Sequence, residues 1–214
     1  MTPPSRRVVL VGAGGFGRET AGFLSTLDAV EPLGFLDDAP SLKGRTFSGL
    51  EVLGPLDLIE TMPPDVRVVI TLGNPRDPTI RRRVAQRLEL PDDRYETLIH
   101  PMAAIGTDVD IGVGTVVHAG SVFTHSLTIG RHVAIMPNVV LTHDDVVGDN
   151  ATFGAGVMLA GGVTVEDAAY LGAGVTVREG ARIGAAAVVG MGSVVLTDIP
   201  SNQVWAGVPA RRLH

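Results

Sequence analysis

The sequence predicts two units in series: an α/β N-terminal domain built on a small Rossmann-like parallel sheet over residues 1–96, then a left-handed parallel β-helix of about five coils over residues 97–214. Three observations carry that expectation. Large apolar residues recur every six positions from Ile105 to Val195, and the first hundred residues alternate short apolar runs with helical patterns. The chain is 45% hydrophobic but only 4% aromatic, with 27 glycines, and a core of Val, Ile, Leu and Ala suits thin stacked layers.

Stepping by six from Ile105, the chain presents Ile111, Val117, Phe123, Ile129, Ile135, Leu141, Val147, Phe153, Leu159, Val165, Leu171, Val177, Ile183, Val189 and Val195. Neither the helical period of 3.6 nor the strand period of 2 generates a strict six. A short strand plus a turn does. The large residue points inward, the following Gly, as at Gly112, Gly130, Gly148 and Gly154, lets the chain bend, and three hexads close one triangular coil. Coils stack at the strand spacing of about 4.8 Å, so residues eighteen apart lie one above another. Arrays of this period wind left-handed, against the usual crossover preference. Val139, Val157 and Val163 are expected on flat outer faces, which would then need covering by other subunits.

The first half has another grammar. RRVVLV reads as a strand, GAGGFGRETAGFLSTL as a glycine turn and helix, VEPLGFLDD as a strand ending in two acids, VRVVITLGN as a strand, and PTIRRRVAQRLEL as a helix. YETLIHP bridges into the solenoid, and the tail SNQVWAGVPARRLH leaves the repeat and should fold back or cross to a neighbour.

Composition excludes several functions. A net charge of −6 provides no broad basic face for nucleic acid. With no cysteine there is no disulfide, thiolate metal site or cysteine nucleophile. The opening MTPPSRR runs into an apolar stretch too brief and glycine-rich for a signal or membrane segment, so no membrane insertion and a cytoplasmic location are expected.

GAGGFG (residues 12–17) fits G-x-G-x-x-G between a strand and a helix, and Asp37 ends the next strand. Glycines admit a phosphate close to the backbone, a helix N-terminus favours negative charge, and an acid can take ribose hydroxyls. LGNP (residues 72–75) would lie on the same sheet edge. His125 and His143, eighteen apart, share one outward corner, and His143 is followed by Asp144 and Asp145, where a carboxylate can fix the imidazole tautomer. The segment VWAGVPARRL caps the open end, with Arg211 or Arg212 placed to meet coenzyme phosphates.

GAGGFGRE, FLDD, LGN, LIHP, the array around LTHDDVVGDNATFGAGVMLAGGV and the terminal WAGVPAR together resemble the PglD/NeuD-type sugar acetyltransferases of the hexapeptide-repeat superfamily. The resemblance implies a homotrimer with sites between subunits, using acetyl-CoA as co-substrate and no metal, and acting on a nucleotide-linked amino sugar or, alternatively, O-acetylating sialic acid or a related sugar. By position it implies His143 as general base and Asp144 as its acidic neighbour. It places Gly14, Gly15, Phe16, Asp37, Asp38 and Gly73 on the nucleotide-sugar loops, and Gly161 and Ala173 on acetyl-CoA, with Thr152 standing where some members have a coenzyme-contacting histidine. A γ-carbonic-anhydrase-like metalloenzyme, using His118, His125, His132 and His143, is the remote alternative, disfavoured because His118 and His132 fall in other hexad phases.

Overall fold

The computed structural model describes residues 6–213; the first five residues of the MTPPSRR stretch lie outside them. β1 (Arg6–Val11) pairs in parallel with β2 (Val30–Leu36) on one side and β5 (Arg67–Ile70) on the other. β4 (Leu50–Gly54) extends the sheet beyond β2, and β3 (Thr46–Phe47) closes that edge antiparallel. From Val8 to Val11, β1 is an unbroken apolar run because both its faces are covered. Val8 and Leu10 pack with Phe23 and Leu24 of α1 (Gly15–Leu24), while Val9 and Val11 face the side of Val84 and Leu88 on α2 (Ile80–Leu88). The two strands β3 and β4 were not expected. TFSGLEVLG lacks a long apolar run because β3 is a two-residue edge and only Val52 and Gly54 of β4 are buried.

From Leu98 onward the chain winds as a triangular parallel β-helix. Its first face stacks Leu98–Ile99, Val116–Val117, Ala134–Ile135, Thr152–Phe153, Tyr170–Leu171 and Val188–Val189. The second carries Val140–Leu141, Met158–Leu159, Thr176–Val177 and Val194–Val195, and the third Val146–Val147, Thr164–Val165 and Arg182–Ile183. Registers such as Ile135↔Phe153 and Leu159↔Val177 place residues eighteen apart in pairs. The large residues of the hexads are at most 2% exposed from Val117 to Val195. Only Ile105 and Ile111, at the open lower end, escape full burial.

Val139, Val157 and Val163 correct the expectation of apolar outer faces. Each is 0% exposed and belongs to the solenoid core. Two residues apart in an extended chain share a side, so Val139 must point inward with Leu141. The outward positions are the residues between, among which Val122, Val146 and Met158 are exposed apolar side chains.

The two units are joined through the first face. YETLIHP is itself the first rung: Tyr95 bridges to Val68 while Leu98–Ile99 pairs with Val116–Val117, and Leu98 and Val116 share a cluster with Val8 and Phe23. Arg81 of α2, 1% exposed, staples the joint. Its guanidinium donates to the carbonyls of Leu72, His132, Asn150 and Ala151 and to the Thr152 hydroxyl. Burial without a carboxylate partner lowers its pKa to about 10. At the upper end the tail folds back as expected: Val204–Ala206 pairs with Val188–Val189, and Arg211–Arg212 returns antiparallel against it, with Trp205 packed on the core. No described helix is long and apolar enough to cross a membrane.

Candidate active site

Between the second and third faces the chain turns a corner at residues 142–144. This corner is opposite the first face, on which the N-terminal sheet sits. Its column reads His125, His143, Gly161 from lower to upper coils. In the lower coils the corner is a continuous strand, Val122–Ile129, and at His143 it opens into a turn. Asp144 adopts the left-handed region (φ 64°), as Gly162 does in the coil above (φ 71°). A short polar side chain tolerates that conformation. The turn aims its carboxylate back at its neighbour, with Asp144 Oδ2 2.9 Å from His143 Nδ1. Nδ1 is then the protonated nitrogen of the neutral ring, and Nε2 is left as the basic atom.

Both side chains of the pair are about two-thirds exposed, open to a substrate. Gly161 closes the space above. A Cβ there would lie 2.5 Å from His143 Nε2, so the imidazole fits only beneath a glycine. Gly162 N–H donates to the His143 carbonyl (2.9 Å), locking the two turns together, whereas the Gly161 N–H meets no acceptor among the described residues. The stacked His125 is differently occupied. Its Nδ1 lies 3.1 Å from the Thr107 carbonyl oxygen and 3.2 Å from the Thr107 hydroxyl, with no carboxylate beside it.

The glycine loop forms the second part of the site. Gly12 takes a positive φ of 105°, and a Cβ on Gly17 would overlap the Gly12 carbonyl, so the helix can start only this close to the strand with glycine at both places. Gly14 caps α1 in an extended conformation, and both Gly14 and Gly15 face open space. Phe16 is half-buried, its ring 5.9 Å from that of His118. Asp37 accepts the Ala13 N–H (2.9 Å) and the Ala39 N–H (2.9 Å), so it holds the glycine loop to the next strand before it meets any ligand. Asp38 turns to α2, where Arg87 holds its carboxyl below the usual range. Gly73 follows the Leu72 carbonyl that Arg81 grips, on the same edge.

Three residues here escaped the sequence reading. Arg18 packs its guanidinium 3.8 Å from the centroid of Phe47, Arg45 lies 5.1 Å from the same ring, and Arg18 Nε donates to the Ala13 carbonyl. Two arginines sharing one aromatic ring beside a helix N-terminus make an anion-favouring edge. Arg18 stood within the GFGRE motif, but Arg45 and Phe47 come from the unexpected edge hairpin.

Thr152 is 7% exposed and its hydroxyl accepts from Arg81 Nη2 at 2.7 Å, so within one chain it lies under the N-terminal unit. Ala173 is exposed at the corner between the first and second faces, across the second face from Gly161. Arg211 is exposed on the terminal hairpin, bonded only to its own Ala210 carbonyl. Neither is brought to His143 within one chain. His118 lies against Phe23 and Thr20, and His132 against Tyr95, both buried on the first face with pKa values pushed down to about 4 by burial. They do not face His125 and His143, and no group of three or more His, Cys, Asp or Glu is placed to share a metal among the described residues.

Comparison with known proteins agrees with this architecture. Residues 7–88 match the PglD N-terminal domain family. A curated UDP-N-acetylbacillosamine N-acetyltransferase of Bacillus subtilis (strain 168) is 34% identical over 119 residues, covering 53% of this chain and 52% of that protein; the match spans about half the relative's length. The acetyltransferase domain of PglB from Neisseria gonorrhoeae FA1090 superposes with a TM-score of 0.87 at 28% identity, over 98% of this chain and 100% of the other. PerB from Caulobacter crescentus, solved in complex with CoA and GDP-perosamine, gives a TM-score of 0.84 at 29% identity, over 97% of each chain. The α/β unit followed by a left-handed parallel β-helix is common to all three chains.

Proposed function

We propose that this chain, a PglD-type hexapeptide-repeat protein by its matched N-terminal unit and its whole-chain fold, is an acetyl-CoA-dependent acetyltransferase that N-acetylates a nucleotide-linked amino sugar, with His143 as general base. The observation that carries the reading is the exposed His143–Asp144 pair seated under a glycine that admits no side chain. A sugar ammonium is not nucleophilic until it loses a proton. The ammonium gives its first proton to solvent, the free amine attacks the thioester carbonyl, and His143 Nε2 takes the second proton from the attacking nitrogen while Asp144 holds Nδ1–H. The oxyanion is met by backbone N–H groups, among them that of Gly161, which meets no acceptor among the described residues. As the tetrahedral intermediate collapses, the C–S bond breaks and coenzyme A leaves as its thiol, taking the proton held by His143. With no cysteine in the chain, direct transfer in a ternary complex is the economical route.

The nucleotide belongs at the glycine-loop edge, where Gly14, Gly15, Phe16 and Gly73 leave open backbone and Arg18 and Arg45 supply charge. Asp37 acts there chiefly by holding the loop. That edge and His143 lie on opposite sides of one solenoid, so a sugar bound at the loop of one chain reaches the His143 of another. This supports a homotrimer with active sites between subunits, on grounds different from the apolar-face argument that Val139, Val157 and Val163 overturned. Gly161 and Ala173 then flank the acetyl-CoA groove, and Arg211 lies toward its end. PerB's complex with CoA and GDP-perosamine supports both ligand classes.

Incubating the protein with acetyl-CoA and a panel of nucleotide-linked amino sugars, with product mass and coenzyme A release as readouts, tests the reading. Acetylation of at least one amino sugar, and none of its hydroxyl analogue, is expected. Turnover of no member, or only of hydroxyl sugars, would overturn it.

A further inference from the structure

Asp145 stands in an inner row of the solenoid that is apolar around it. Its neighbours eighteen residues below and above are Leu127 and Val163, and Val139, Ala151 and Val157 share the row. At 1% exposure, its carboxylate lies in the dry core directly behind the His143 turn, and burying it there is unfavourable unless it is hydrogen-bonded. It accepts two backbone N–H groups, from Thr142 and from Val163, both at 2.8 Å.

Both donors have other partners elsewhere in the repeat. One coil up, the N–H in the place of Thr142 joins the inter-coil ladder, Ala160 donating to the Val177 carbonyl at 3.0 Å. Thr142 does not make the matching bond to Leu159, and the pairing there shrinks to Val140↔Met158, where the next coil pairs both Met158↔Thr176 and Leu159↔Val177. The N–H in the place of Val163 ordinarily closes a turn on the residue three before it, as Val157, Val175 and Ala181 do at 3.3 Å. In the same row the Thr115 hydroxyl likewise takes the turn donor of Val133 at 3.0 Å, but Asp145, at the coil that carries His143, takes a ladder donor as well.

We infer that Asp145 is a positioning residue for the transfer reaction: its carboxylate opens the inter-coil ladder behind residues 142–144 and ties that turn to Val163, fixing the imidazole of His143 relative to Gly161. The inference rests on the acetyltransferase reading of His143. Burial raises the Asp145 pKa to about 6 against the pull of its two N–H donors; the charged groups facing it are His143 and Asp144, and Leu127 and Val163 carry none. A carboxyl whose folded pKa exceeds its unfolded value weakens the fold at neutral pH. Asp145 therefore holds its place at the expense of stability, unlike a packing residue.

The test is Asp145→Val and Asp145→Asn in the full-length protein, beside wild type and His143→Ala, with kcat, both KM values, melting temperature and the pH profile measured. Asp145→Val is expected to lose about tenfold or more in kcat, with both KM values within about threefold and the melting temperature unchanged or higher. The acid limb of kcat should fall with two ionisations in wild type, one near pH 6, and with a single ionisation in Asp145→Asn. Full kcat in Asp145→Val beside an inactive His143→Ala would overturn this inference alone. Lowered melting temperatures with kcat and both KM values impaired together would reduce Asp145 to a structural residue. A wild-type protein without acetyl transfer would overturn it along with the reading on which it rests.

Discussion

Gly161→Ala perturbs the site by one methyl group at a known place. The new Cβ would sit 2.5 Å from His143 Nε2, about 1 Å inside ordinary contact, so the ring must move by about that distance. Because the imidazole is exposed, it can swing outward without unfolding anything, and the melting temperature should stay within about 2 °C of wild type. The proton transfer has no such freedom. A displacement of about 1 Å at a reacting group can lower the rate by about 10²-fold, close to the loss of the base itself. Steady-state kinetics with acetyl-CoA and the amino-sugar nucleotide should therefore show kcat down by about two orders of magnitude with the fold intact. Retention of more than a third of wild-type kcat would refute the claim that His143 acts from beneath Gly161.

Other outcomes follow from separate parts of the molecule. His125→Ala should lose less than about tenfold in turnover, since its imidazole is engaged by Thr107 and has no carboxylate, and Asp144→Ala should fall between it and His143→Ala in the same assay. Arg81→Met should lower stability by about 3–5 kcal/mol in denaturant titration, because four carbonyls and the Thr152 hydroxyl lose a buried donor. Stability should fall as pH drops from about 6.5 toward about 4. His118 and His132 have folded pKa values below their unfolded ones, so the unfolded chain binds more protons in that window; Asp145, with the opposite sign, offsets part of it between about 6 and 4. Replacing both histidines with Phe should flatten the dependence. Light scattering should give a trimer at micromolar concentration, and a monomer would remove the intersubunit site.

Much of this was legible because the repeat is a physical constraint. An inward residue every six positions with a bend after it fixes the solenoid from Val117 to Val195, and the stacking of Gly161 over His143 follows from the eighteen-residue coil. The inward pointing of Val139 was also available, since two residues in an extended chain share a side, but the six-residue period drew attention to one row and hid the second. β3 and β4 were illegible because edge strands need no apolar run. In IRRRV nothing distinguishes the arginine that is buried; only the packing of α2 on the first face selects Arg81 and, through it, engages the Thr152 hydroxyl. Asp145 looked like part of an acidic pair beside the histidine, and its true place in the dry core follows from the same overlooked row.

The most direct test of the account is coenzyme A release from acetyl-CoA, dependent on a nucleotide-linked amino sugar, compared between wild type and His143→Ala, with acetyl-CoA binding measured on both. The account predicts sugar-dependent release by wild type, a loss of at least about 100-fold in His143→Ala, and equal acetyl-CoA affinity in the two proteins. Undiminished release by His143→Ala would contradict it.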